Sequence, residues 1–326
     1  MVGKPLVSVV IPLYNKKQYI QRAIDSVLRQ SYANFEIVVI DDGSTDSSPE
    51  IVRSIADPRI CLFVQQNAGE GMTRDRGIRE ASGEYIALLD ADDEWLPGFI
   101  ESGLKLFMDF PEIGAAGLGY ASCMPDGELI PTKVKTPRPA PWRGVLPDYF
   151  SAALESSPLW SSSTMLSRKA FYEVNPKASK ARLGADLYLW CQIALKYPIA
   201  YDSEVMAIYH IDADNRVCNA VWYDGELPAV TFLKGELAAG RIERSRVVAI
   251  RDYISHYQLS SIWFVLRYTE DFPLVRRLLS ECLVTRRYYL RWIRYWVEGN
   301  TPAKLLHFWL MLGRKMKALL HIGKRR

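Results

Sequence analysis

The feature that most constrains this chain is the regular alternation of its first hundred residues. Val7 to Ile11 is short, apolar and β-branched, which predicts a buried strand. Gln18 to Arg29 places Ile20, Ala23, Ile24, Val27 and Leu28 on one helical face. The pattern then repeats: strand Glu36–Ile40, helix Pro49–Ala56 with its proline near the first turn, strand Ile60–Val64, helix Gly71–Ala81, strand Glu84–Leu89 and helix Leu96–Phe110. Strands alternating with helices build right-handed βαβ units and a mostly parallel sheet. The expected fold class is therefore α/β, with a mostly parallel, Rossmann-like half followed by a C-terminal helical region.

The alternation weakens after Gly114. Pro125 to Pro147 is proline-rich and reads as a long loop or lid. Arg182 to Lys196 leads into an apolar helix, and the pattern after Asn219 is helical. The expected division is a catalytic domain over residues 1–218 and a helical region with a basic amphipathic tail over 219–326. The five cysteines are scattered with no CxxC pair, which argues against a zinc site or a disulfide framework and fits a reducing compartment. The first apolar run is broken by Pro12 and Asn15, too short for a secretory h-region, and no stretch approaches the ~20 apolar residues that span a bilayer.

Two predicted strands end in acids. The first stops at Asp41-Asp42-Gly43-Ser44-Thr45-Asp46 and the other at Asp90-Ala91-Asp92-Asp93. Clustered carboxylates repel unless a cation or a shared proton offsets them, and a hard ion such as Mg2+ takes one or two carboxylates plus substrate phosphates. Either run alone also reads as a solvated turn that caps the next helix. Two of them at the carboxyl ends of one sheet, where open α/β sheets bind ligands, point to one polar site. The first connection, Pro12-Leu13-Tyr14-Asn15, lacks a glycine-rich phosphate loop, which counts against a GxGxxG dinucleotide fold. Tyr14 either packs on a base or is a loop aromatic. Asp42 can accept from a base N–H. Arg74 is placed to pair with the acids or meet a diphosphate, whereas Arg76 reads as a surface partner of a nearby glutamate.

Taken in order, Val7-Ser8-Val9-Val10-Ile11-Pro12-Leu13-Tyr14-Asn15, Ser26 to Tyr32, Asp41 to Asp46, Asn67-Ala68-Gly69, and Gly83-Glu84-Tyr85 through Asp93 resemble the family 2 glycosyltransferases, inverting enzymes of the A-type fold. The resemblance covers roughly the first two-thirds of the chain. It implies that Pro12, Tyr14, Asn15 and Asp42 hold the nucleotide, with Arg74 beside it. Asp90 then lies near the ribose or a metal-bound water, and Asp92 is the first-choice ligand of Mn2+ or Mg2+. The family's base lies in a Glu-Asp pair before a helix. Here Asp186 matches the base, and Ala185 replaces the glutamate. His210 matches a place where relatives carry a residue that approaches the diphosphate or metal. It also reads as a structural histidine at a strand end. The implied reaction moves a sugar from a nucleoside-diphosphate sugar, a UDP-sugar first, to a glycan or lipid-linked hydroxyl in cell-surface polysaccharide synthesis. Two other readings stay open. One is an aspartate-nucleophile phosphatase, although Asp93 follows the DxD where that class has Thr or Val. The other is a non-catalytic nucleotide-sugar or membrane-binding scaffold.

The net charge of +4 is unevenly spread. From Arg286 onward there are 11 basic residues and one acid, Glu298, so this segment carries +10 and the rest −6. Leu305, Leu306, Phe308, Trp309, Leu310, Met311, Leu312, Met316, Leu319 and Leu320 interleave with those cations. Such a segment suits the plane of an anionic membrane or, alternatively, a buried helix or dimer interface. No recognised module argues for nucleic acid. The expected location is cytoplasmic, peripheral at the inner face of the membrane.

Overall fold

The computed structural model describes residues 3–181, 183–214, 226–269 and 271–300. The predicted alternation appears as β1 (Val7–Leu13), α1 (Ile20–Leu28), β2 (Phe35–Asp41), α2 (Ser48–Ser54), β3 (Ile60–Val64), α3 (Glu70–Glu80) and β4 (Tyr85–Leu88). The last predicted helix starts later than its pattern suggests. Glu94–Trp95 forms a two-residue strand, β5, and Gly98 turns left-handed at φ +92°, so α4 runs Phe99–Asp109. Beyond it come β6 (Ala115–Cys123), β7 (Leu129–Pro131), β8 (Arg143–Val145), α5 (Tyr149–Ala152), β9 (Thr164–Ser167), α6 (Arg168–Val174), α7 (Ala185–Lys196) and β10 (Ile199–His210). Four further helices follow: α8 (Pro228–Ala238), α9 (Val247–Tyr268), α10 (Phe272–Glu281) and α11 (Tyr289–Asn300).

One ten-stranded sheet organises the chain, in the order β3-β2-β1-β4-β9-β6-β10-β5, with β7 on β6 and β8 on β10. β3, β2, β1 and β4 are parallel. β9 is wedged antiparallel between β4 and β6, and β10 runs parallel to β6. The fold is α/β with a parallel first half and a mixed second half. The segment expected to be one long loop, Pro125 to Pro147, contributes two short strands instead, because β6 and β10 offer it edges to pair with.

Every residue of β1 is buried, which explains why all of them but Ser8 are apolar. Pro12 sits in this central strand without disrupting it. The β4 side of β1 is paired only as far as Val10, so the missing N–H falls beyond the ladder. The core extends from Val7, Val9 and Ile11 through Ile20, Ile24 and Val27 of α1 to Trp95, Phe99 and Leu104. Trp95 stacks on Phe99 at 3.9 Å.

Residues 3–214 and 227–253 belong to one compact unit. Glu226 and residues 254–300 belong to a second. The second has its own core of Leu259, Ile262, Val265, Val275, Leu279 and Tyr295. Asp271 caps α10 by accepting from the Leu274 N–H at 2.9 Å, a contact that stabilises by about 1 kcal/mol. The tail segment from Leu305 to Leu320 and the junction at 215–225 lie outside the described residues. No described helix is long and apolar enough to cross a membrane.

His256 lies in the second unit near the Tyr288 hydroxyl, at 3.4 Å. Burial, with Arg291 and Arg287 adding to it, pushes its imidazole down to about 4. A folded value below the unfolded one near 6.5 means the neutral ring favours the fold. That stability is present above about 6.5 and is lost as pH falls toward 4. In urea titrations, the midpoint of the wild type should therefore fall between pH 7 and pH 4.5 more steeply than that of His256→Gln. Parallel pH dependence of the two proteins would contradict the assignment.

Candidate active site

Strand register brings the acids together. Leu13 of β1 lies opposite Asp41 of β2, and Asp41 opposite Val64 of β3, so Tyr14, Asp42 and Gln65 leave the sheet side by side. β4 ends lower, with Leu88 beside Val10, and the run from Asp90 crosses toward the loop after β1.

Asp42 is buried, and its carboxylate organises the loop after β3. Oδ1 accepts from Gln65 Nε2 at 2.7 Å and from the Ala68 N–H at 2.8 Å, and Oδ2 accepts from the Gly69 N–H at 2.9 Å. A carboxylate has about four acceptor positions, so one is left for a ligand. Gly69 takes φ +90° to bring its N–H inward and then starts α3. Asn15 takes φ +52°, which asparagine tolerates, and its amide oxygen accepts from the Thr45 N–H at 2.8 Å. The structure thus gives Asn15 the work of joining two loops. Tyr14 is 46% exposed, with its ring available above the strand ends. Pro12 is buried beneath it.

Asp90, Asp92 and Asp93 differ sharply in surroundings. Asp93 is 1% exposed; Oδ2 accepts from the Ser162 hydroxyl at 2.6 Å and Oδ1 from the His210 N–H at 3.2 Å. Burial, then Asp92 and Asp90, hold its carboxyl well above the usual range. Ser162 also receives the Asp90 N–H at 3.0 Å, so the serine-rich segment before β9 holds the acidic turn in place. Asp92 carries Lys16 on Oδ2, with Nζ at 2.7 Å, and Lys16 also reaches the Asp214 carbonyl at 2.7 Å. Sequence patterning missed Lys16. Its signal was a cation just past the first strand end, facing two acidic ends. His210 is directed elsewhere: its Nε2 lies 3.0 Å from Glu94 Oε1, which lowers the Glu94 carboxyl, and its backbone serves Asp93. The ring expected near a metal or diphosphate is thus paired with a glutamate at the β5–β10 contact.

Arg74 links the acidic turn to the first turn of α3. Its side chain is 2% exposed, and Nη2 bonds both Glu70 and Asp90, the latter at 3.1 Å. Burial works against its charge, but Glu70, Asp90 and Asp186 outweigh it. Its Nε is a buried donor without a partner among the described residues. Burial pushes Asp90 up to about 7; Arg74 opposes this, and Glu70 and Asp92 add to it. Asp186 stands in the first turn of α7, entered through Gly184 at φ +75°. Burial raises its carboxyl, Arg74 opposes, and Glu70 adds to the rise. Tyr120 of β6 lies within electrostatic reach of Asp186. It packs on Trp160 at 4.7 Å, and Trp160 on Tyr209 at 4.9 Å, an aromatic group that the sequence pattern did not single out.

Asp90 and Asp92 offer hard carboxylate oxygens, and Asp92 is already matched to a cation, the Lys16 ammonium. This donor set fits Mn2+ or Mg2+ chemically. Among the described residues no group of three or more His, Cys, Asp or Glu side chains is arranged to enclose an ion, so a bound ion would take its remaining ligands from substrate oxygens and water.

Comparisons with known proteins show what the chain is similar to. The chain is 28% identical over 223 residues to a putative teichuronic acid biosynthesis glycosyltransferase of Bacillus subtilis, covering 67% of this chain and 84% of that one. It is 30% identical over 210 residues to an uncharacterised glycosyltransferase of Rickettsia bellii, of whose length it spans only 29%. Among solved structures, Staphylococcus aureus TarS 1–349 with UDP-GlcNAc has a TM-score of 0.57 at 15% identity, over 90% of this chain and 80% of that one. A Pyrobaculum calidifontis mannosyltransferase with GDP-Man and Mn2+ has a TM-score of 0.59 at 18% identity, over 97% and 81%. These two share the fold. Residues 8–174, just over half of the chain, match the family described as Glycosyl transferase family 2, and the chain belongs to that family of sugar-transferring enzymes.

Proposed function

We propose that the protein is a metal-assisted inverting glycosyltransferase. It moves a sugar from a nucleoside-diphosphate donor, a UDP-sugar first, to a hydroxyl of a glycan or lipid-linked acceptor in the making of a cell-surface polysaccharide. The observation that carries this reading is Arg74, a buried guanidinium bonded to Asp90 and facing Asp186. Donor-side acids and a candidate base therefore share one cation. The neighbours crystallised with UDP-GlcNAc and with GDP-Man and Mn2+ support a nucleotide-sugar donor, and the Bacillus relative's teichuronic acid role supports a surface polymer.

Tyr14 and the free acceptor position on Asp42 receive the base, above Pro12. Asp90 faces the ribose. Asp92 is the residue to hold Mn2+ or Mg2+, with Lys16 released toward the diphosphate. When bound, the ion supplies Lewis-acid stabilisation of the charge that develops on the leaving diphosphate. Arg74 adds fixed positive charge on the same side. Asp186 takes the proton of the acceptor hydroxyl while its oxygen bonds to the anomeric carbon. The bond from that carbon to the diphosphate breaks on the opposite face, so the configuration inverts. The Tyr120–Trp160–Tyr209 group offers apolar ring faces to a sugar beside Asp186.

A thermal-shift screen of UDP-, GDP- and dTDP-sugars with and without Mn2+ tests the reading. Stabilisation by one nucleotide class that requires Mn2+ is expected, and no response to any donor would contradict it. The basic amphipathic tail is the proposed membrane-facing part. Deleting residues 300–326 should release the protein from vesicles containing anionic lipid, since each basic residue near such a surface contributes about 1 kcal/mol. Binding of the full chain should also weaken as salt rises. Equal sedimentation of both forms would make the tail a structural element instead.

A further inference from the structure

The first turns of α3 and α7 are locked together. A methyl placed on Gly71 would stand 2.7 Å from the Ala185 methyl and 2.4 Å from the Ser179 carbonyl oxygen. Glu70 precedes Gly71 and Asp186 follows Ala185, so this close backbone approach fixes the two carboxylates relative to each other. Between them lies Arg74, whose Nη2 bonds Glu70 and Asp90. Asp186 forms no ion pair of its own with Arg74, although it lies close enough for the two charges to act on each other. Arg74 and Glu70, both on α3, are the charged side chains that act on Asp186 most strongly. Its other titratable neighbours are neutral near pH 7: Tyr120 of β6 is raised by burial, and Cys191 of α7 is pushed up to about 12.

We propose that Glu70 is a positioning residue of the transfer reaction: its carboxylate binds Arg74 and holds the guanidinium toward Asp90, which leaves the Asp186 carboxylate without a direct cation bond and available to the acceptor's proton. This rests on Asp186 acting as the base. Ala185 leaves the α7 turn with a single acid, and α3 supplies the second from across the contact. Glu70 remains 41% exposed, so its role runs through Arg74 and not through burial of its own charge. Without it, Nη2 of Arg74 loses one of its two carboxylate partners and keeps Asp90. The Asp186 carboxylate already acts on that guanidinium, and a direct Arg–Asp pair there would stabilise the ionised acid and make it a weaker base.

The test is a titration of the full chain labelled with 13C at its aspartate carboxyl carbons, without donor or metal. Asp186→Asn identifies the Asp186 resonance. In Glu70→Gln, Asp186 should titrate about one pH unit lower than in the wild type. Glu70→Asp, which keeps the charge, should stay near the wild-type midpoint. Glu70→Ala repeats the removal if the glutamine variant fails to fold. A wild-type midpoint after loss of the carboxylate overturns the proposal, as does an equal fall in Glu70→Asp. A kinetic arm uses the donor found in the nucleotide-sugar screen. There Glu70→Gln should lower kcat about tenfold with donor KM within twofold, and should add no further loss to Asp186→Asn. Additive losses would mark a merely structural role. If the wild type transfers no sugar from any donor, the functional reading fails while the titration still decides the role of Glu70.

Discussion

Asp186→Asn should lower turnover about 100-fold or more while donor affinity stays within about twofold of the wild type. Loss of a general base has this size of effect, and Asp186, in the first turn of α7, is not among the residues expected to hold the nucleotide. The asparagine keeps the shape of the first turn, so the fold should survive with an unchanged far-UV spectrum. The pH dependence carries a second check. A base must be ionised to act, and burial holds the Asp186 carboxyl above the usual carboxylate range. Wild-type kcat should therefore fall as pH drops through that raised value, and the residual activity of the variant should lack that limb. Near-normal turnover in single-turnover assays would move the base elsewhere, with Asp93 the first alternative. Asp93 starts at a disadvantage, since both its oxygens are already engaged by Ser162 and His210.

Asp92→Asn has the second large effect. Its carboxylate is matched to Lys16 in the absence of donor, and the substitution leaves that ammonium beside a neutral amide. Nucleoside-diphosphate binding should lose its dependence on Mn2+, with affinity in the metal's presence falling about tenfold or more. Affinity measured without metal should change little, and can rise slightly because Lys16 is released to meet the phosphates. Calorimetric titration with UDP at fixed Mn2+ checks this. A variant that retains the full metal-dependent gain would shift the ligand role to Asp90.

The parallel half of the fold was legible because a strand buried on both faces must be almost wholly apolar, as β1 is apart from Ser8, and its helices must be amphipathic. The two acidic ends were legible for a related reason: charge placed directly after such strands has to be at the sheet's edge. What the pattern could not carry was pairing over long sequence distances. β9 enters between β4 and β6 from almost eighty residues beyond β4, and its four residues resemble an ordinary loop exit. Partner assignment was hidden in the same way. Asp42 looked like a ligand for a base, yet three of its acceptor positions hold the 65–69 loop. His210 read either as an active-site or as a structural histidine, and its engagement with Glu94 runs across a two-residue strand too short to leave a periodic trace. Glu70 lies just before the predicted helix Gly71–Ala81, and the pattern did not single it out. Only the approach of Gly71 to Ala185 places it beside the same guanidinium as Asp186.

The central claim is that the acids at the strand ends, with Arg74 and Lys16, form a cation-assisted site for a nucleoside diphosphate. Its most direct test is the affinity of the wild-type full chain for UDP and for GDP, measured by calorimetry with Mn2+ and with EDTA. The account predicts that one of the two binds at least about tenfold more tightly with Mn2+ than with EDTA, the scale of metal stabilisation expected for a diphosphate. Equal affinity in both conditions, or no binding of either nucleotide, would contradict it.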